Sequence, residues 1–503
     1  MTVTSAAYVT DVEYMIGYFP FQSPAHLAVA ALLCGVACDV LDRYETLSYV
    51  ELGCGFGYGA MVLAASNPGW QVTGIDFNPA HIAAARSFAA EAGLTNITFI
   101  EADLSTLAED PAAALVPEAD VVTLHGVWSW VPEVVRAGIV RLLRAKLRSG
   151  GLAYVSYNAL PAWQSALGMQ RLVRESGARL AQRSDRQVRA GFGVAKELAA
   201  AEASHLKDHA FVKMLLERSD MSQIEYLAHE YMNGSWSPCF HGDLCADLAG
   251  ARLNWVGSAA LLENFVELNL TAAQRAVADQ FEDPIQRELV KDLCLARGLR
   301  QDIFVRGARR LTTDERNAAL GRVRLALMVP PGEFQYEADL PTGRAEFGRQ
   351  FYGAVVAALA EGPKTVAELL CVPGRTSTID NPAELIAVLV ASEQAAIVAG
   401  PDAADPRAAR RFNTTAARRL STNGRFGQFA AAANAMLGNG LRGPLLELFV
   451  IDRTAAAGEA PDPAVLAGDL GRHLNEEERG QMRDAIASIL AKRLPAWRSI
   501  GMV

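Results

Sequence analysis

At 503 residues the chain is too long for one ordinary core, and its length suggests about three domains. Hydrophobic residues make up 51% of it and charged residues 20%, which excludes a disordered, collagenous or disulfide-scaffold protein. The 47 basic and 56 acidic residues leave a net charge of −9, so dependence on a nonspecific phosphate-binding surface is excluded and no nucleic-acid partner is expected.

The first basic residue is Arg43, with Asp11 and Glu13 ahead of it, the reverse of the basic start a secretory leader needs. The longest apolar run, residues 27–38, is too short to cross a bilayer and reads as a buried helix. Seven unpatterned cysteines fit a reducing compartment, so a cytoplasmic protein with no membrane contact is expected. From residue 48 to 158, short β-rich runs alternate with Ala-rich helical segments, the pattern of a parallel sheet covered on both faces. Strands are expected at 47–52, 71–76, 97–101, 120–124 and 152–157, and helices at 58–65, 79–92 and 134–147. The fold class is therefore α/β, a doubly wound, Rossmann-like core.

After Pro161 the texture turns to Ala, Arg and Glu and predicts a helical insertion to about residue 219. A strand at 226–232, a helix at 242–250 and a strand at 253–257 would return two strands to the sheet edge. Residues 271–320 again read as helical, and Pro330-Pro331-Gly332 is the clearest linker in the chain. Beyond it, segments 347–360, 365–370, 381–392 and 395–398 follow the helix-helix-helix-strand order of a winged-helix-like unit, or form a helical packing module. Three domains are expected: 1–165, 166–330 and a mainly helical 331–503 that selects substrate or dimerises and leaves cofactor binding to the first.

The strongest chemical signal is Tyr49-Val50-Glu51-Leu52-Gly53-Cys54-Gly55-Phe56-Gly57-Tyr58-Gly59, an apolar strand ending in an acid, then alternating glycines and a helix. Glycines allow a sharp turn and the close approach of a ligand. The dinucleotide fingerprint would need Gly at position 58, which is Tyr58. Two further acids, Asp76 and Asp103, stand at the carboxyl ends of expected strands, where open α/β sheets bind ligands. One carboxylate at Asp76 can grip two ribose hydroxyls; Asp103 can accept from an exocyclic amine while the Leu104 amide donates to the ring. An adenosine fits that slot.

These residues together resemble the S-adenosylmethionine site of class I methyltransferases over about the first 160 residues. The resemblance implies that Glu51 orders the methionine ammonium, that the backbone of Gly53, Gly55 and Gly57 makes room for the amino-acid part, and that Phe77 beside Asp76 joins the cofactor set. It implies S-adenosylmethionine as cofactor, S-adenosylhomocysteine as product and no metal. Tyr18 and Gln22, ahead of the apolar run, are expected to contact the cofactor from an amino-terminal lid. Further segments, Tyr18 to Pro24, His125-Gly126-Val127-Trp128-Ser129-Trp130, Ser156 to Trp163, Tyr226 to Tyr231, Leu253 to Ser258 and Phe304 to Arg310, resemble bacterial methyltransferases with an attached regulatory domain. Characterised relatives of that kind include lysine methyltransferases that modify bacterial outer-membrane proteins.

In this fold the loop after the fourth strand faces the methyl group. His125 and Trp128, with Trp130, are therefore acceptor-side candidates, joined by Tyr157 and Asn158 at the end of the fifth strand. Both tryptophans can equally be packing residues. The leading expectation is a protein-lysine N-methyltransferase with a protein partner and a homodimer as one arrangement. The alternatives are a small-molecule methyltransferase of secondary metabolism and a non-catalytic cofactor-binding regulatory protein.

Overall fold

The computed structural model describes residues 9, 11–12, 17–217, 224–374, 381–401, 403–421 and 429–503. Five strands alternate with helices: β1 (Ser48–Leu52), β2 (Gln71–Asp76), β3 (Ile97–Glu101), β4 (Ala119–Leu124) and β5 (Leu147–Asn158). The helices are α1 (Pro24–Leu33) ahead of the sheet, then α2 (Tyr58–Ser66), α3 (Pro79–Glu91) and α4 (Glu133–Lys146). Two later strands, β6 (Leu253–Ser258) and β7 (Leu299–Arg306), complete a seven-stranded sheet of order β3-β2-β1-β4-β5-β7-β6. The first five strands run parallel, and β7 lies antiparallel between β5 and β6.

Local chemistry sets the boundaries. Asn78 caps α3, its side chain accepting from the Ala80 amide, with Pro79 preset for the first turn. In α4, Glu133 opens the helix and Arg144 and Lys146 close it, each sign matched to the helix dipole. Along the strands the side chains alternate between two cores, as the period of two requires. Tyr49, Val72, Val121 and Tyr154 enter the core shared with α1 and α2, while Val50, Ile75, Val122 and Val155 enter the one shared with α4.

Three expectations change. The run 226–232 is not a strand but the helix Ile224–Met232, and the second returned strand is β7. Leu227, Ala228 and Tyr231, at helical spacing, pack with Met169, Val173 and Phe192 of the helical insertion into a third core, which rewards the helix over the strand. Residue 330 is not a clean boundary, because Arg324–Leu327 pairs with both Lys364–Thr365 and Ala395–Val398 across it. Nor does 331–503 hold a core of its own. Leu325, Val356, Leu389, Phe412 and Trp497 belong to the same cluster as α1 and α2. The expected helix-helix-helix-strand order is present at Arg349–Ala360, Val366–Leu370, Pro382–Ala391 and Ala395–Val398.

The hairpin Phe429–Asn434/Asn439–Pro444 explains the composition of α2, which buries eight of its nine residues. The sheet takes one side of the helix and the hairpin the other. Tyr58 Oη donates to the Ala431 carbonyl at 2.7 Å, and Ser66 and Asn67 bond the carbonyls of Asn439 and Gly438 at 3.1 and 2.9 Å.

Candidate active site

The turn from β1 into α2 holds Gly53, Gly55 and Gly57 at φ +72°, +54° and +68°, a left-handed backbone that favours glycine. A Cβ on Gly57 would run into the Phe99 ring, and one on Gly53 into Val127. The loop is thus fixed by its own backbone and kept clear of side chains. Asp76, at the end of β2, braces it: one carboxylate oxygen accepts from the Gly55 amide and the other from the Asn78 amide, both at 2.9 Å. Each oxygen keeps a lone pair for a ligand. Asp103 accepts from the Ser105 amide at 2.8 Å.

Two hollows meet at this loop, sharing Gly53, Gly55 and His125. One, about 620 Å³, is lined by Tyr18, Phe19, Gln22, Tyr49 and Glu51; the other, about 1010 Å³, by Asp76, Phe77, Asp103, Leu104, Trp130 and the helix residues His229, Glu230 and Asn233. Joined at the glycine loop, the two hollows form one elongated cleft.

In the smaller hollow, Glu51 Oε2 and Gln22 Oε1 are buried without a hydrogen-bond partner. Burial is the largest influence on Glu51 and lifts its carboxyl to about 8, against the Ala60 amide, which bonds it from the first turn of α2. Buried polar atoms rarely stay unpaired, and a ligand carrying a cationic amine would satisfy both. The fit is therefore good: a glycine cradle, unpaired acceptors at one end and strand-end carboxylates at the other.

His125 bridges the hollows. Its Nδ1 lies 2.9 Å from Tyr154 Oη, and its ring packs on Phe19 with centroids 3.9 Å apart. Burial lowers its pKa to about 3, so the imidazole is neutral at physiological pH and adds no positive charge beside a cationic ligand. Phe19 belongs to the segment carrying Tyr18 and Gln22, and that segment is held from far away. Tyr18 Oη donates to Asn439 Oδ1 and accepts from the Gly440 amide; Asn439 Nδ2 donates to the Pro20 carbonyl at 3.2 Å. Arg442, in the same hairpin, sits 5.9 Å from the Phe19 ring centre.

Of the cofactor residues expected from sequence, Tyr18, Gln22, Glu51, Gly53, Gly55, Asp76, Phe77, Asp103 and Leu104 line the joined cleft. Gly57 supports the turn from beneath. The acceptor-side residues divide. His125 is in the cleft, but Trp128 is fully buried in the α4 core, with the Arg136 guanidinium 5.7 Å from its ring centre. Two residues on, Trp130 takes the cleft position. Tyr157 is 1% exposed, and its hydroxyl donates to Asp302 at 2.6 Å. Asp302 also binds Arg300 in two-pronged fashion, at 2.9 and 3.0 Å, and Arg300 continues into a buried ionic network with Glu288 and Asp292. Asn158 Oδ1 accepts from Trp236 Nε1 at 2.9 Å. Trp128, Tyr157 and Asn158 thus brace the wall behind the cleft. Among the described residues, no group of three or more His, Cys, Asp or Glu side chains is placed to hold a metal ion.

Comparison with known proteins matches residues 50–153 to a methyltransferase domain and residues 223–306 to a predicted methyltransferase regulatory domain. The Synechocystis sp. protein sll1526 is 33% identical over 362 residues, covering 72% of this chain and 70% of that protein. The chain is a class I S-adenosylmethionine-dependent methyltransferase with a regulatory domain. The Rickettsia prowazekii protein RP789 is 30% identical to this methyltransferase over 165 residues, 33% of this chain and 28% of that one. PKMT2 from Rickettsia typhi, solved in complex with AdoHcy, shares the fold end to end. Its TM-score is 0.68 at 16% identity, covering 97% of the methyltransferase and 99% of PKMT2. The helix Ile224–Met232 and strands β6 and β7 all fall in the regulatory match, so the regulatory segment completes the sheet and walls the cleft. Sequence reasoning missed that wall. The i, i+1, i+4 spacing of Leu227, Ala228 and Tyr231 was the available sign of a helix.

Proposed function

We propose that this methyltransferase acts on protein lysine side chains by in-line methyl transfer. One observation carries the reading furthest: the hollow that holds Asp103 and Leu104 is also lined by the apolar residues Trp130, Val131, Pro132 and Val135, suited to the methylene stem of a long side chain. The fold-sharing Rickettsia protein supports it by its name, PKMT standing for protein lysine methyltransferase.

In this reading Glu51 and Gln22 receive the amino-acid end of the cofactor, Asp76 the ribose, and Phe77, Asp103 and Leu104 the adenine. Bound there, S-adenosylmethionine supplies a sulfonium methyl: a C–N bond forms on the acceptor, the C–S bond breaks with its electron pair left on sulfur, and a proton leaves nitrogen. The protein's part is alignment, worth up to about 7–11 kcal/mol of barrier, and the acceptor amine must give up a proton before or as the bond forms. A lysine of ordinary pKa costs about 4.6 kcal/mol to deprotonate at pH 7. A neutral His125 adds no positive charge beside the cationic sulfonium.

The test is incubation of the full chain with methyl-labelled cofactor and a cell lysate, then mass spectrometry. Methylated lysine ε-nitrogen in protein is the expected result. Label confined to small molecules would point to the metabolite alternative, and no label at all to a cofactor-binding regulator.

A further inference from the structure

The helix Ile224–Met232 buries Leu227, Ala228 and Tyr231 against the helical insertion, with the Tyr231 and Phe192 rings packed edge-on at 4.7 Å. That packing turns the stripe Tyr226, Glu230, Asn233, spaced i, i+4, i+7, away from the third core. Glu230 and Asn233 line the larger hollow of the cleft together with Trp130. Asn233 fixes the distance between the two walls, its Nδ2 donating to the Trp130 carbonyl at 3.3 Å and its Oδ1 accepting from the Ser235 amide at 2.7 Å.

The hollow holds three carboxyl groups, and they are not equivalent. Asp76 and Asp103 are braced by backbone amides at strand ends. Glu230 stands on a helix that belongs to no cofactor motif, bonded by the neighbouring Tyr226 side chain. We propose that Glu230 is the acceptor-binding residue of this methyltransferase, holding a primary aliphatic ammonium between its carboxylate and the Trp130 ring in the cleft. The assignment rests on the methyl-transfer reading above for the presence of an acceptor amine, but does not require that amine to sit on a protein.

The surroundings fit that guest and select against others. Trp130, Val131, Pro132 and Val135 give an apolar wall for methylene groups, and an aromatic face attracts a cation. His125, on the loop after β4, is neutral and adds no positive charge; His81 and His229 are the other histidines of the hollow. Desolvation pushes the Glu230 carboxyl up to about 8, so it pairs with an entering ammonium and is suited to take up the proton that the amine loses. A half-buried carboxyl lining the hollow penalises an anionic or purely apolar acceptor.

The experiment avoids any need to know the natural acceptor. Two cofactor analogues are used in which nitrogen replaces sulfur, one carrying a four-carbon arm ending in a primary amine and the other the same arm ending in a methyl group. Calorimetry gives the affinity of each, and of S-adenosylhomocysteine, for the full chain and for Glu230→Gln. The intact protein is expected to prefer the amine arm at least tenfold. Glu230→Gln is expected to reduce that preference below twofold while leaving S-adenosylhomocysteine affinity within twofold and the thermal midpoint unchanged. Should the Gln variant not fold, Glu230→Ala and Trp130→Leu carry the same comparison, each expected to lower the preference at least fivefold. No preference in the intact protein, or a preference that survives in a folded Glu230 variant, overturns the assignment. Loss of preference together with a lysate that labels no protein would sustain Glu230 and remove the protein-substrate reading. Labelled protein lysine without any amine preference would do the opposite.

Discussion

On one side of the glycine loop, Asp76, Phe77, Asp103 and Leu104 sit at or just past the ends of neighbouring strands β2 and β3, all within 29 positions of the sequence. On the other, Tyr18 and Gln22 arrive from ahead of α1 on a segment held through Tyr18 and Pro20 by Asn439 and Gly440, more than 400 positions away. The first side is built by register and hydrogen bonds that any such strand-turn-helix segment makes for itself. The second exists only once the chain's two ends have met over α2. This division teaches that one cleft depends on two kinds of folding information, and it suggests substitutions that hit one side without the other.

The largest effect is expected where the two sides meet. Gly57→Ala forces a Cβ into the Phe99 ring at a backbone φ of +68°. Overpacking of this kind costs ~1–3 kcal/mol and the left-handed backbone ~1–2 kcal/mol more, so a loss of about 2–5 kcal/mol is expected in denaturant unfolding, with cofactor binding lost on both sides of the loop. A stable variant with normal affinity would show that the loop is not held as the structure has it.

Asp76→Ala should be confined to the strand-end side. Removing a carboxylate that accepts hydrogen bonds costs about 1.5–3 kcal/mol, read by calorimetry as a roughly 10- to 150-fold loss of S-adenosylmethionine affinity. Unchanged affinity in a folded variant would remove Asp76 from the site. Asn439→Ala tests the long-range side. It deletes the acceptor for Tyr18 and the donor to Pro20, about 1–2 kcal/mol for two neutral hydrogen bonds, and should weaken cofactor binding although Asn439 does not line the cleft. If affinity stays constant, residues beyond 330 leave cofactor binding to the sheet after all. Ending the chain near residue 330 is a poorer test, because it strips α2 of the hairpin and splits the sheet formed by Arg324–Leu327.

The same contrast explains what the sequence made legible. The five parallel strands, α2 to α4 and the gathering of Glu51, Gly53, Gly55, Asp76 and Asp103 around one cleft follow from local signals, a period-two pattern broken by glycines and strand-end acids. Trp128 and Trp130 stand two residues apart in a short turn, and nothing local says which one faces inward. Tyr157 reads as a rim residue until β7 brings Asp302, 145 positions later, to its hydroxyl. The run 226–232 reads as a strand because it is short, rich in apolar and aromatic residues, and spaced as the first strand of a strand-helix-strand unit. Burial against Phe192 and Met169 decides for helix. The hairpin Phe429–Asn434/Asn439–Pro444 left almost no trace, since the alanines that dominate its first strand favour neither strand nor amphipathic pattern.

The smallest expected effect is a pH dependence that belongs to the Glu51 side alone. Burial holds the Glu51 carboxyl at about 8 in the cofactor-free protein, above the ordinary glutamate value of about 4.3. Pairing with the cofactor's ammonium needs the ionised form, so lowering the pH through 8 protonates Glu51 and opposes binding. Raising it removes the proton from the amine, for which a model α-amino group titrates at about 7.7–8.0. The ionic pair is therefore best populated near pH 8. Treating the two groups as independent with values near 8, affinity should fall about threefold from pH 8 to 7 and about 25-fold from pH 8 to 6. Glu51→Gln should flatten the acid limb, and calorimetry in buffers of different ionisation enthalpy should show, at pH 7, the release of most of one proton on binding. Asp76→Ala should lower affinity at every pH and, because the Asp76 charge is one of the influences that raise Glu51, move the acid limb toward lower pH without flattening it. A profile that flattens in Asp76→Ala and persists in Glu51→Gln would place the titrating carboxyl on the wrong side of the glycine loop.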